Sequence, residues 1–320
     1  MDNNRNTQKL NELFNQFVYQ CRYAQGMRAA TIVGYKATYE LLKKLIPGIC
    51  LEMLTPKIMT EFFARLQTRE RKIGRGLVKK AVKNSTLLTY RCKLNTFFKW
   101  LYVNGHLKND PFAGVHRPAV SYTDRKYLER EQVERILVAI GFTINWKNNL
   151  VKKRNLTIAG VLLHCGLRKG EMLNLKLSDI NFRNDELLVR GEISKSRRDR
   201  IVPLNSAVII LLKDYLEERN LRKYTTPYLF VSLNRDERLS YDGYKHLVEK
   251  LNRECGVKFH THQFRHTHSV NLLANGTDVV TIQQLLGHTD PRMTASYLRS
   301  LPMQIKRPHV EMLARLENLV

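Results

Sequence analysis

The chain is 320 residues long and carries a formal net charge of +25, with 54 Lys and Arg against 29 Asp and Glu. Apolar residues make up 43% of it, enough for real cores, which excludes wholesale disorder. The length favours about two domains over one, and the cationic excess points to a polyanionic partner, nucleic acid first.

The start, MDNNRNTQKL, has no apolar signal core, and no run approaches membrane-spanning length, so no membrane association is expected. Cys21, Cys50, Cys92, Cys165 and Cys255 are odd in number and far apart, with no C-x-x-C pair. That pattern gives no disulfide or zinc framework and fits free thiols in a reducing cytoplasm.

Residues 1–100 hold 19 Lys and Arg against 6 Asp and Glu, about half of the whole excess. Leu10, Leu13, Phe14, Phe17, Val18 and Cys21 recur with helical spacing. A second helix is expected from about Ala30-Thr31 to before Pro47-Gly48. Thr55-Pro56 is a cap followed by proline at the first helical position, with Ile58, Phe62 and Leu66 on its buried face. Ser85 opens a fourth helix with Leu87, Leu94, Phe97, Phe98 and Leu101 inside, and Gly105 closes it. Residues 1–109 thus read as a compact helical domain. Between its last two helices, residues 69–86 carry Arg69, Arg71, Lys72, Arg75, Lys79, Lys80 and Lys83 against Glu70 alone. With two glycines this stretch reads as a flexible loop whose cations sit on phosphates; the bland alternative is a merely solvated loop.

Residues 110–127, with Asn109-Asp110-Pro111 at their start and Arg117-Pro118 within, break the helical pattern and read as a linker. Helix signals resume at Leu128. A buried helix runs to Cys165, Gly166 ends it, and Leu167-Arg168 opens the next, placing Arg168 where backbone N–H groups favour an anion. Asp179–Phe182, Leu187–Val189 and Arg200–Leu204 read as three short strands. A turn at Asn184-Asp185 joins the first pair and the basic hairpin GEISKSRRD the second. Helices follow around Ile209–Tyr215 and Tyr244–Leu251. The fold class expected is mainly α with a small antiparallel β-sheet.

The stretch from His260 to Tyr297 reads as three helices. Thr261 caps the first and Asn275-Gly276 ends it; Thr277 or Asp278 caps the second and Gly287 stops it; Asp290-Pro291 starts a third that carries Tyr297. His262 and Arg265 are three apart and share a helix face. A guanidinium binds phosphate in bidentate fashion, an imidazole beside it moves a proton, and a tyrosine hydroxyl can serve as a covalent nucleophile. Taken singly, a buried His or Tyr is more often a satisfied core residue; the ordered set carries the reading.

H-x-x-R at His262–Arg265, L-L-G-H at Leu285–His288 and Tyr297 nine residues later resemble the C-terminal motif of the tyrosine recombinases, the phage integrase family. G-L-R-x-x-E at Gly166–Glu171 resembles that family's first arginine motif. The resemblance implies a helical DNA-clamping domain followed by a catalytic domain over residues 128–297. It implies that Tyr297 attacks a DNA phosphodiester, that Arg168, Arg265 and His288 hold the phosphate, and that Glu171 orients from behind. It also implies a lysine on the basic hairpin as proton donor; counting back six from Ile201 gives Lys195, with Arg197, Arg198 and Arg200 as alternative occupants. Arg197 and Arg198 otherwise join the candidate DNA contacts, and His262 is the candidate base. No cofactor is expected, because a 3′-phosphotyrosine link conserves the phosphodiester energy, and no metal, because the sequence lacks a clustered carboxylate set for a two-metal mechanism. The partners implied are double-stranded DNA and further copies of the chain, a dimer on each site and a tetramer at synapsis. The tail, 298–320, repeats Val310, Leu313, Leu316 and Leu319 as an apolar stripe that packs on its own domain or on a neighbouring copy.

Three other readings stand beside this one: strand relaxation of the type IB topoisomerase kind, a non-catalytic DNA-binding protein on the same fold, and a metal hydrolase built on His260, His262, His266 and His268. No carboxylate near those histidines completes a typical metal set.

Overall fold

A computed structural model describes residues 2–73, 76–120 and 127–299. The chain divides into two compact units, residues 1–122 and 123–320. Among the described residues, no helix is long and apolar enough to cross a membrane.

The first unit is built from α1 (Asp2–Tyr23), α2 (Ala29–Leu45), α3 (Pro56–Thr68) and α4 (Asn84–Val103). The aromatic spacing seen in the sequence becomes its core: Phe14 stacks on Tyr39 with centroids 3.9 Å apart and meets Phe97 edge-on at 5.1 Å. Leu10, Phe17, Leu42, Phe62 and Leu101 fill the space around them. Thr55 caps α3, its hydroxyl accepting from the Ile58 N–H, with Pro56 at the first helical position. Met59 joins Phe62 and Leu66 as fully buried, while Ile58, expected among them, is half-buried against the same core.

The basic stretch between α3 and α4 corrects an expectation. It is not a loop but an antiparallel ribbon, β1 (Glu70–Ile73) and β2 (Leu77–Lys80), in the register Glu70↔Lys80, Arg71↔Lys79, Lys72↔Val78 and Ile73↔Leu77. Neither ERKI nor LVKK alternates apolar with polar residues, and cations outnumber apolar residues in the ribbon, so the usual period-two mark of a strand is absent from the sequence.

The second unit begins with α5 (Arg130–Val138), which runs into a π-helical turn at Ala139–Thr143. There follow α6 (Asn149–His164), the single-turn α7 (Lys169–Leu173), α8 (Ser206–Leu221), α9 (Tyr241–Glu254), α10 (Thr261–Ala274), α11 (Val279–Leu286) and α12 (Pro291–Arg299). Between α7 and α8 lies a three-stranded antiparallel sheet in the order β3 (Ile180–Asn181), β4 (Glu186–Val189), β5 (Arg200–Pro203), as the pattern of short apolar runs predicts. Asp185 turns between the first two strands at φ 53°. The core is centred on α6, whose residues Ile158 to Leu163 are almost all buried, packed with Leu173, Val189, Val202, Leu212 and Phe230.

Caps in the last third follow the sequence closely. Asp278 accepts from the Val280 and Thr281 N–H groups, Gly287 ends α11 at φ 63°, and Asp290 accepts from the Arg292 N–H ahead of α12. The α10 cap is shifted by one: His260, not Thr261, holds that position, and the Gln263 side chain accepts its N–H at 2.8 Å. The tail beyond residue 299 lies outside the described residues, and so do 121–126 of the linker.

Candidate active site

The site is organised by a buried carboxylate. Glu171, on α7, is 1% exposed. It accepts from the Arg168 backbone N–H at 3.0 Å and from Arg168 Nη1 at 2.8 Å. Arg265 Nη1, from α10, approaches it to 3.9 Å. Arg200, from β5, donates to both its oxygens, at 2.6 and 3.2 Å. Burial alone would raise the Glu171 pKa, but hydrogen bonding and charge from Arg200, then Arg168, win and hold it below the ordinary carboxylate range. Three guanidinium groups face one carboxylate, so positive charge is left over. Such a cluster suits a phosphate, whose oxygens can supply what the carboxylate does not.

Arg265 is fully buried. Its Nη1 donates to the Gly166 carbonyl at 2.7 Å and its Nη2 to the Leu286 carbonyl at 2.8 Å. Burial, then repulsion from Arg168, brings its pKa down to about 10, while Glu171 and Tyr297 oppose the fall. Both carbonyls come from helix ends where they lack intrahelical partners, so the G-L-R and L-L-G-H segments are tied together through one side chain. Gly166 has to be glycine: it sits at φ +60°, and a Cβ there would come within 2.5 Å of His268 Cδ2 and 3.0 Å of Leu286.

Tyr297, on α12, is also fully buried. Its ring centroid lies 4.8 Å from that of His266 and 6.0 Å from that of His288. Among the described residues its hydroxyl makes no hydrogen bond, nor does Arg265 Nε. Buried polar atoms left in this condition are uncommon and cluster where function requires them. His288 is 6% exposed and pairs through Nδ1 with Thr294 Oγ1 at 2.8 Å.

The structure thus brings Arg168, Glu171 and Arg265 together and packs Tyr297 against His288. Two expected residues stand apart from this group. His262 is exposed on the first turn of α10 and lines a recess of about 540 Å³ with Lys169, Tyr244, Lys245, Phe259 and His260. Lys195 is exposed on the turn between β4 and β5; its neighbour Ser194 is buried, hydrogen-bonded to Ser196 and 3.5 Å from Arg200 Nη1. Arg200, weighed from sequence as a substitute for Lys195, is instead drawn inward, with its guanidinium on Glu171 and on the Leu285 carbonyl. His266 is a second residue missed: one position after Arg265, it read as part of a general histidine cluster. Among the described residues, no three His, Cys, Asp or Glu side chains come together as a metal cluster; His268 Nδ1 lies 3.1 Å from the Leu163 carbonyl.

The candidate DNA-contact residues differ among themselves. Lys79, Lys80, Lys83, Arg197 and Arg198 are exposed. Lys80 reaches back to Glu70 at 3.4 Å. Arg69 is half-buried, and Arg71, also half-buried, donates through Nη2 to the Ala81 carbonyl at 2.6 Å at the base of the ribbon. Arg75 and the side chain of Lys72 lie outside the described residues.

A model of the phage integrase family matches residues 126–303. The chain is 32% identical to the tyrosine recombinase XerA of Pyrococcus furiosus over 229 residues, 71% of this chain and 73% of that protein. It is 28% identical to the tyrosine recombinase XerD of Proteus mirabilis over 314 residues, 96% of this chain and 94% of that one. Among solved structures it is similar to the XerH site-specific recombinase in a post-cleavage complex with palindromic difH substrate, with TM-score 0.70, 20% identity, and coverage of 92% of this chain and 84% of that chain. It is also similar to a lambda integrase dimer bound to a COC' core site, with TM-score 0.66, 19% identity, and coverage of 90% and 76%. At those identities the two structures speak to the fold.

Proposed function

The chain belongs to the phage integrase family of tyrosine recombinases, and from that premise we propose how its own residues cut and rejoin DNA strands. Tyr297 Oη attacks the scissile phosphorus. A bond forms between the phenol oxygen and phosphorus, and the bond from phosphorus to the 5′-oxygen breaks. His262 takes the phenol proton; an unassisted phenol, with a pKa near 10, is a poor nucleophile at neutral pH. Arg168 and Arg265 hold the non-bridging oxygens and offset the charge that builds in the transition state. His288 adds a hydrogen bond to the same phosphate, and Lys195 gives a proton to the departing 5′-oxygen. Glu171 fixes Arg168. The 3′-phosphotyrosine retains the bond energy, so rejoining needs only attack by a 5′-hydroxyl.

The observation that carries this reading is the convergence of Arg168 and Arg265, far apart in the chain, on one buried carboxylate. At rest the Tyr297 ring packs on His266 and His288 with no exposed area, so α12 has to shift before the phenol can reach a phosphate. Lys195, on an exposed turn, has to swing in as well.

Recombination of two duplexes breaks four strands and each chain brings one Tyr297, so the working assembly is a dimer on each site and a tetramer where two sites meet. The exposed cations of the β1–β2 ribbon and of residues 197–198 grip the duplex backbone. Five free thiols among the described residues fit action in the reducing cytoplasm. The family favours recombination over relaxation by a lone monomer and over DNA binding without chemistry.

The test is a covalent trap. A duplex recovered from a random-sequence library by binding to the protein, then nicked beside the cut, should accumulate a protein–DNA adduct. Peptide mapping should place it on Tyr297, and Tyr297→Phe should form none. An adduct that persists in that variant, or maps to the half-exposed Tyr241, would overturn the assignment.

A further inference from the structure

Arg200 has no part in the mechanism above, yet more of the site passes through it than through any residue named there except Glu171. Its side chain is 8% exposed. Nη2 donates to Glu171 Oε2 at 2.6 Å and Nη1 to Oε1 at 3.2 Å; Nε donates to the Leu285 carbonyl at 2.9 Å; Nη1 also lies 3.5 Å from Ser194 Oγ. The aliphatic part runs along Gly287, where a Cβ would stand 3.1 Å from Arg200 Cδ. One planar fork therefore joins three segments. The first is the carboxylate that orients Arg168. The second is the 285–288 turn, which supplies the Leu286 carbonyl to Arg265 and carries His288. The third is the hairpin turn beside Lys195.

We propose that Arg200 is a positioning residue for strand cleavage: committed to carboxylate, carbonyl and hydroxyl, it sets Arg168, through Glu171, and the His288 turn at the spacing that the transition state requires. The proposal rests on the functional reading above. Lysine in its place keeps the charge but cannot span the two ends, because an ammonium is a point donor where a guanidinium is a rigid fork. A misplacement on the order of 1 Å at a clamp costs up to about a hundredfold in rate.

The experiment uses the full chain and the selected, nicked duplex. Wild-type protein should form the adduct and Tyr297→Phe should not; a wild-type protein that forms none sinks the functional reading and this proposal with it. In Arg200→Lys, single-turnover cleavage should fall by about ten- to a hundredfold, with duplex affinity held within about threefold. Two further readouts separate positioning from general loosening. Because Arg200 acts in part through Arg168, Arg200→Lys should cost clearly less in the Arg168→Ala background than in the wild type, the remaining loss being carried by the His288 turn. A methylphosphonate at the scissile position, which removes a charged oxygen and with it part of the need for the clamp, should restore much of the lost rate. Wild-type cleavage in Arg200→Lys, fully additive losses in the double variant, or no recovery on the methylphosphonate would overturn the proposal; fully additive losses would mean that Arg200 does not act through Arg168. Should Arg200→Lys fail to bind duplex, Glu171→Gln, which keeps the acceptor shape and drops the charge, carries the same readouts, and additivity with Arg168→Ala there overturns it equally.

Discussion

A guanidinium with no exposed surface, held by two carbonyls, has a structural duty as well as a chemical one. Arg265→Ala would strand the Gly166 and Leu286 carbonyls and should lower stability by about 2–5 kcal/mol, read from denaturant unfolding. Arg168 is the cleaner probe, since its side chain is 20% exposed and, among the described residues, bonds Glu171 alone. Arg168→Ala should keep duplex affinity within about threefold while cleavage falls by at least about a hundredfold; equal losses in both would contradict a role confined to the transition state. His268 supplies a pH dependence. Burial lowers its pKa from 6.5 to about 4, so the unfolded chain takes up a proton that the folded chain refuses. Its contribution to stability is therefore full above about pH 6.5 and drains away as the pH falls toward 4. The thermal midpoint of the wild type should fall more steeply across that interval than that of His268→Gln; parallel curves would refute the assignment.

At the scale of the element, local chemistry was readable and distant chemistry was not. Thr55, Asp278, Asp290 and Gly287 could be placed from sequence because a cap depends on residues within a few positions. The β1–β2 ribbon is hidden in the sequence because its cations outnumber its apolar residues and no two-residue alternation marks either strand. Arg200 was misread because its partners, Glu171 and Leu285, lie 29 and 85 residues away; nothing in the neighbouring sequence distinguishes it from the exposed arginines before it. The ribbon gives a test of its own. If Lys79 and Lys83 each sit on a phosphate, replacing either with alanine should reduce the slope of log affinity against log salt by about 0.9. An unchanged slope would return them to ordinary solvated cations.

For the molecule as a whole, the charge of +25 pointed to a polyanion, and the family confirms DNA as the class of target. The break in helical periodicity around Pro111 and Pro118 falls shortly before the division between the two units at residues 122 and 123. Among the described residues, the first unit's core cluster is made of side chains between Leu10 and Val115, with Leu10, Phe14, Tyr39, Phe62 and Phe97 in it. A fragment of residues 1–120 should accordingly fold alone, with a cooperative thermal transition and dispersed amide resonances; a molten or aggregated fragment would show that the second unit is needed to complete it. The order of recombination partners left no trace in one chain, because it is written in the DNA and in surfaces between copies.

The seclusion of Tyr297 has a consequence for genome safety. A phenol with no accessible area, leaning on two imidazoles, is out of reach of any duplex the protein merely brushes against. Supercoiled plasmid lacking a selected site should therefore stay closed when incubated with excess protein, and rapid conversion to open circles would show that the blade is never sheathed.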